Sequence, residues 1–192
     1  MPSYDTLGRP DSQLTSIAEG DDHWTRTTYD QYGRVFQQFD AAGDGFTRSA
    51  VQNIYNQYGY LEAVVDGENI NQASAENYYT VLAMDERGNV TRFRQGNGVV
   101  TEREYDPATG RLEHQTASVL GINQIQDLTY QWDNLGNLEN RRDQSGGKDL
   151  FEEFDYDGLN RLKSAQVSDQ GVQRVARHAT IVVFPKLAVV GL

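Results

Sequence analysis

The sequence contains no cysteine, so disulfide bonds and thiolate chemistry are excluded. Histidine is scarce, and His23, His114 and His178 lie too far apart for a metal-ligand motif or a base beside a nucleophile. Basic residues are outnumbered, with 17 Lys and Arg against 28 Asp and Glu. The net charge of −11 repels phosphate backbones and disfavours nucleic-acid binding. The sequence therefore predicts no metal, cofactor or nucleic-acid ligand, and no enzyme activity.

Long apolar runs are also missing. Hydrophobic residues make up 38% of the chain, and the mean hydropathy is −0.68. The most apolar stretch, 179–192, is interrupted by Pro185 and Lys186 and is shorter than the roughly 20 residues of a membrane-spanning helix. The first ten residues, MPSYDTLGRP, lack the basic and apolar regions of a secretory signal. Neither a membrane anchor nor a signal peptide is predicted.

Tyrosine is abundant, and it recurs before aspartate at regular intervals. Aligned on this pair, seven segments begin at positions 4, 29, 55, 84, 105, 132 and 156, with steps of 21 to 29 residues. Two of them are degenerate, YNQYGYL from Tyr55 and MDERGNV from Met84. A fixed period of this length is typical of repeat architectures. The sequence therefore predicts about seven structural units of about 25 residues.

Each copy reads as a turn, with the aromatic residue at position 1 and aspartate at position 2. A carboxylate there can accept backbone N–H groups two or more residues on. Glycine at position 5 indicates a positive φ, and Asn160 in that place fits because asparagine is the next-best residue for it. Arginine at position 6 could cover an aromatic face or pair with the aspartate, and the sequence leaves both open. The predicted turn residues are Tyr4, Asp5, Gly8, Arg9, Tyr29, Asp30, Gly33, Arg34, Tyr105, Asp106, Gly110, Arg111, Trp132, Asp133, Gly136, Tyr156, Asp157, Asn160 and Arg161.

The segments between these turns alternate in polarity and are rich in β-formers, as in IQDLTYQWD and LFEEFDYD. The fold prediction is all-β, with repetitive antiparallel β-hairpins that form a curved or spiralling single sheet of about fourteen strands. A helical turn fits only within 68–82. The domain prediction is a repeat sheet over 1–168 and a non-repeat apolar tail over 169–192. The tail reads either as an edge strand or as the unselected end of a truncated reading frame.

Five of the copies resemble the YD repeats of the RHS family in residue order: YDTLGRP, YDQYGRV, YDPATGRL, WDNLGNL and YDGLNRL. The resemblance covers 4 to about 168. Bacterial RHS toxins, components of insecticidal Tc toxin complexes and, more distantly, the animal teneurins belong to this family. The resemblance implies a β-sheet that spirals into a hollow shell, which in bacterial members encloses a toxic C-terminal polypeptide. The autoproteolytic DPxGL segment of the family does not occur in this sequence. The Asp106-Pro107 pair belongs to a repeat turn instead.

The resemblance predicts a structural role, as one segment of a shell wall from a larger toxin protein. Expected partners are other YD-repeat segments, toxin-complex subunits and an enclosed toxin polypeptide. Expected locations are the bacterial cytoplasm before export, or the exterior. The alternative is a module that binds carbohydrate or protein, with Tyr78, Tyr79 and Trp132 as rings that could stack on sugars. Stacking of Tyr29, Tyr105, Trp132 and Tyr156 in register favours the structural role, whereas aromatic side chains outside that series favour binding.

Overall fold

The structure is a computed structural model that describes residues 2–16, 22–40, 49–68, 76–119, 121, 123–170 and 172–177. The chain divides into two compact units, Met1–Thr101 and Glu102–Leu192. The boundary falls within a strand that begins at Val99.

The described residues contain fifteen β-strands and one three-residue 3-10 helix, Ser145–Gly147. No helix within the described ranges is long and apolar enough to cross a membrane. The strands are β1 (Pro2–Tyr4), β2 (Pro10–Ser16), β3 (Asp22–Tyr29), β4 (Val35–Phe39), β5 (Ala50–Tyr55), β6 (Leu61–Asp66), β7 (Asn77–Met84), β8 (Val90–Gln95), β9 (Val99–Tyr105), β10 (Leu112–Val119), β11 (Asn123–Trp132), β12 (Leu138–Asp143), β13 (Leu150–Tyr156), β14 (Leu162–Asp169) and β15 (Val172–Arg177).

Within each unit, the hydrogen-bonded order of the strands is their order along the chain, and every described pair is antiparallel. Successive connections therefore alternate between the two ends of the strands. One end holds the Tyr-Asp turns and is called the motif end; the other is called the opposite end. The predicted all-β fold of successive hairpins is confirmed.

The strands bury little apolar surface. In the first unit Ala50 on β5 and Ala63, Val65 on β6 are buried, and none of the described large side chains is fully buried. Polar side chains pair between the strands instead, as where the Gln37 side chain donates to Oε1 of Gln52 at 3.1 Å. This composition suits a sheet stabilised by cross-strand contacts rather than by a thick core.

One minor expectation differs from the structure, and one stays a prediction. The helical turn allowed within 68–82 is wrong for the described part, because β7 begins at Asn77 and continues to Met84. The β-branched and aromatic residues of this segment favour a strand once neighbouring strands can pair with it. Strand β15 lies inside the predicted tail, whereas 178–192 lies outside the described residues, so the two interpretations of the tail stay predictions.

Candidate functional site

The Tyr-Asp turns at the motif end share one backbone geometry, apart from the fifth copy, where one extra residue moves the equivalents of positions 5 and 6 to Gly110 and Arg111. In the copy at Tyr29, Oδ1 of Asp30 accepts the backbone N–H groups of Tyr32 and Arg34, both at 2.9 Å. The N–H of Asp30 donates to the carbonyl of Arg34 at 2.9 Å, and the N–H of Gly33 donates to the carbonyl of Asp30 at 3.0 Å. A single carboxylate oxygen thus holds the turn closed.

The residue at position 5 has a positive φ in every copy. The six glycines range from 74° at Gly110 to 94° at Gly136, and Asn160 has 58°. This conformation costs a residue with a Cβ atom about 1–2 kcal/mol, less for asparagine. The register also shifts at position 1 in six of the copies, for example between Thr28 and Tyr29, which indicates a bulge where the strand enters the turn.

In the first two copies, arginine at position 6 performs both roles that the sequence left open. Nε of Arg9 donates to Oδ2 of Asp5 in its own turn at 2.7 Å, while its guanidinium carbon lies 4.2 Å from the ring centroid of Tyr29 in the next turn. Arg34 repeats this arrangement with its own Asp30 at 2.7 Å and with the ring of Tyr55 at 4.1 Å. Each arginine therefore connects two successive copies.

The aromatic residue at position 1 returns a hydrogen bond to the preceding copy. The hydroxyl of Tyr29 donates to the carbonyl of Pro10 at 2.8 Å, and that of Tyr55 donates to the carbonyl of Val35 at 2.7 Å. In the second unit Nε1 of Trp132 donates to the carbonyl of Leu112 at 2.7 Å. All these carbonyls belong to the residue just after position 6. We call this connected series of turns within each unit the turn ladder.

Copies without arginine at position 6 keep the ladder by other contacts. In the third copy Asn56 replaces aspartate and Tyr60 replaces arginine. The Tyr60 ring packs on Gly88 of the next turn, so closely that a Cβ atom on Gly88 would lie 2.9 Å from the ring. In the second unit, Nδ2 of Asn137 donates to Oδ1 of Asn160 in the next turn at 3.1 Å.

The motif aspartates are held ionised by their turns. The side chain of Arg161, followed by backbone N–H groups of Arg161 and Leu159, lowers the pKa of Asp157 to about 2. The side-chain amide of Asn137 is the largest cause that lowers the pKa of Asp133. Within the described ranges, no three His, Asp or Glu residues are grouped as metal ligands. Carboxylates whose oxygens already accept several hydrogen bonds are suited to holding turns closed.

Sequence reasoning missed the side chains at position 4, between the aspartate and the glycine, which we call the turn tips. In five of the seven copies they are large, apolar or aromatic, and exposed, and the signal was visible as a recurring Leu or Tyr; the other two copies have Arg87 and Thr109 there. Their exposed fractions are 75% for Leu7, 74% for Tyr32, 77% for Tyr58, 75% for Leu135 and 72% for Leu159. The ring of Tyr32 lies 5.0 Å from the guanidinium carbon of Arg34 in the same turn, whereas the hydrogen bonds of the turn involve none of these five side chains.

The rings proposed for sugar stacking are mostly engaged in packing. Trp132 is half-buried and bonded through Nε1, and the ring of Tyr79 lies 5.1 Å from that of Phe93. Tyr78 is 40% exposed, at the opposite end. Exposed aromatic side chains outside the ladder are therefore present, both at the turn tips Tyr32 and Tyr58 and elsewhere, at Trp24, Phe36 and Tyr78.

No protein-family model matches the sequence, and no curated protein matches it significantly. Solved structures of Tc toxin chains have the same fold. A crystal structure of TcdB2–TccC3 with Cdc42 matches with a TM-score of 0.66 and 23% identity over 85% of this chain. The Tc holotoxin pore of Photorhabdus luminescens matches with a TM-score of 0.60 and 18% identity over 86%. This chain spans only 9% and 11% of the length of those two chains.

Proposed function

We propose that this protein is a segment of the wall of an RHS-type shell, a structural part of a toxin complex that encloses a polypeptide cargo. In this proposal the protein catalyses no reaction. Its partners in this proposal are further YD-repeat segments, other toxin-complex subunits and the enclosed polypeptide. The observation that carries the proposal is the turn ladder, in which the motif residues of one copy contact those of the next.

The ladder supports a structural role because it uses the chemically active groups of the motif. Asp30 illustrates this: Oδ1 accepts two backbone N–H groups and Oδ2 accepts the guanidinium of Arg34. A general acid at neutral pH needs a raised pKa. Desolvation acts to raise the pKa of Asp30, but the hydrogen bonds from Arg34 and Tyr32 together outweigh it, and that pKa is lowered. The repeated carboxylates are thus suited to cohesion and unsuited to acid catalysis.

The fold supports the proposal in a second way. A sheet that adds strands in chain order can be extended by further copies without a change of geometry. The likeness to Tc toxin chains fits a wall built in this manner, and the small share of those chains that is matched fits one segment of a longer wall.

The test is to purify the assembly that contains this chain from the cells that make it, through an affinity tag. We expect a particle far larger than 21.6 kDa, containing further Tyr-Asp repeats and a second polypeptide protected from protease. The variant Trp132→Ala, which removes a ladder ring, should reduce the yield of this particle. Leu159→Ala at an exposed turn tip is the matched control and should not change the yield.

Two results would contradict the wall proposal. One is a 21.6 kDa monomer that melts in a single cooperative transition, with no larger species in the cells. The other is a genomic neighbourhood that contains no Tyr-Asp repeats in any reading frame on either side.

The exposed tips favour a second candidate function, a surface that binds a ligand. Tyr32 and Tyr58 are outside the ladder, and large exposed aromatic side chains are typical of interaction sites. The chemistry of this surface is developed below.

A further inference from the structure

We propose that the motif end of the first unit binds a basic, proline-rich peptide in the polyproline II conformation. The binding surface consists of Tyr32, Tyr58 and Tyr60 with the amide of Asn56, and we call it the tyrosine surface. This inference goes beyond the wall function, and it specifies the partner of the second candidate.

The tyrosine surface borders two neighbouring cavities. One has a volume of about 550 Å³ and lies between the second and third turns, with Tyr32 and Tyr58 in its lining. The next has a volume of about 360 Å³ and lies between the third and fourth turns, with Tyr58 and Tyr60 in its lining. Tyr58 thus stands between the cavities, each of a size typical of ligand sites, roughly 300–1,000 Å³.

The spacing of these cavities matches a polyproline II helix. Successive turns at the motif end are separated by two strands, a distance of about 9.6 Å at the usual spacing between neighbouring strands. A polyproline II helix advances about 9.3 Å in each three-residue turn. A Pro-x-x-Pro segment lying across the turns would therefore place its two prolines in adjacent cavities.

The side chains offer the chemistry that such a peptide requires. Proline rings pack on aromatic faces, and the unpaired carbonyls of a polyproline II backbone accept hydrogen bonds. In five other copies Oδ2 of aspartate accepts from position 6, but in the third copy position 6 is Tyr60. The amide Nδ2 of Asn56 has no partner among the described residues and can donate to a peptide carbonyl. The hydroxyls of Tyr32 and Tyr58 are likewise exposed donors.

Charge determines which proline-rich segment fits. The second cavity is lined by Glu62, Asp85 and Glu86 and by no basic side chain. In the first cavity the guanidinium of Arg34 lies 5.0 Å from the ring centroid of Tyr32, and its charge is balanced by the Asp30 carboxylate at 2.6 Å. Lysine or arginine beside the prolines would therefore be attracted, as would be expected for a chain of net charge −11.

The turn tips of the second unit provide an internal control. Leu135 and Leu159 are as exposed as Tyr58 but have neither a ring nor a hydroxyl. An apolar tip alone is therefore not sufficient for the proposed site, and the substitution Tyr58→Leu reproduces in the third turn what these copies contain naturally.

Fluorescence anisotropy with the full chain tests the proposal. The probe is a labelled synthetic peptide with two Pro-x-x-Pro units flanked by arginine; a peptide of the same composition without that spacing is its control. We expect saturable binding of the first peptide, weakened at least about tenfold by Tyr58→Leu and by Tyr32→Ala, because each removes an aromatic contact. Leu135→Ala should change the affinity less than about twofold. Unchanged melting temperatures would show that the variants fold.

Three outcomes would overturn the inference. The first is equal binding of the two peptides. The second is equal weakening by Tyr58→Leu and Leu135→Ala, which indicates non-specific apolar contact. The third is that a neutral chitin oligosaccharide binds at Tyr58 and the peptide does not. That result would assign the surface to glycans. None of these results bears on the shell assembly tested above, so the two proposals fail independently.

Discussion

The two ends of the strands reverse the chain in different ways. At the motif end, almost every connection runs from an aspartate to a position-5 residue of positive φ, at nearly constant length. At the opposite end, β8 and β9 are joined through Gly96–Gly98, whereas β12 and β13 are joined through a 3-10 helix at Ser145–Gly147. The repeated turn is found where motif side chains of successive turns contact one another, and varied turns are found at the opposite end, where backbone groups bond to neighbouring strands.

This difference shows that the Tyr-Asp motif not only closes a turn but also contacts the neighbouring copy. A local turn requires only the aspartate and the glycine. The aromatic residue and the arginine are explained by the neighbouring copy, since Arg9 lies over Tyr29 and the hydroxyl of Tyr29 bonds to Pro10. Four experiments test this difference between the two ends, and they are given in order from the largest expected effect to the smallest.

Acid should weaken the motif end most, because it acts on every turn aspartate at once. The pKa values of five of these aspartates are lowered, that of Asp157 to about 2 by the Arg161 side chain first. A carboxylate whose pKa is lower in the folded chain stabilises the fold above its unfolded value, near 4, and this contribution is lost as the pH falls through the folded value. We therefore expect the melting temperature to fall between about pH 4 and pH 2.

Circular dichroism melts across this range, together with an NMR titration of the Asp157 carboxyl, check the prediction. The variant Asp157→Asn should show a smaller decrease over the same range, because one titrating turn is removed. A midpoint for Asp157 near 4, or a melting temperature that is constant down to pH 2, would contradict it.

Glycine substitutions compare the two ends directly. Gly88 at the motif end and Gly98 at the opposite end have nearly equal φ values of 85° and 83°. A Cβ atom on Gly88 would lie 2.9 Å from the Tyr60 ring, whereas one on Gly98 meets nothing within 4 Å. We expect Gly98→Ala to lower the free energy of unfolding by about 1 kcal/mol and Gly88→Ala by about 2 kcal/mol, from the same strain plus a displaced ring.

Urea unfolding of both variants measures this difference, and a double-mutant cycle identifies its source. With Tyr60→Ala in the background, Gly88→Ala should cost no more than Gly98→Ala, because the ring that it would displace is gone. Equal losses for both glycines in the native background would show that the contact between turns contributes nothing.

Much of this fold was readable from the sequence because its signals are local. The period of the Tyr-Asp pair predicted successive hairpins, and alternation predicted strands. Contacts between copies were not readable, because they join residues about twenty positions apart and depend on register. The third copy has Asn56 and Tyr60 in place of the Asp-Arg pair, and the role of Tyr60 became clear only from its contact with Gly88. The turn tips were missed because the hydrogen bonds that close a turn do not involve these side chains.

Removing one hydroxyl tests a single link of the ladder. In Tyr29→Phe the carbonyl of Pro10 loses its donor at 2.8 Å, and we expect the free energy of unfolding to decrease by about 1 kcal/mol. The hydroxyl of Tyr78, at the opposite end, makes no hydrogen bond within the described residues. Tyr78→Phe should therefore change the stability by less than about 0.5 kcal/mol. If the two variants unfold at the same urea concentration, the hydroxyl link is not a source of stability.

The smallest effect is expected where one copy departs from glycine. Asn160 has a φ of 58°, and its Oδ1 accepts a hydrogen bond from Asn137 in the preceding turn. In Asn160→Gly the relief of backbone strain opposes the loss of this bond and the greater freedom of the unfolded chain, so the stability should change by less than about 0.5 kcal/mol. Asn160→Ala keeps the strain without the bond and should be less stable than the glycine variant. The reverse order in urea unfolding would mean that positive φ is not what position 5 requires, and the repeat would need another explanation.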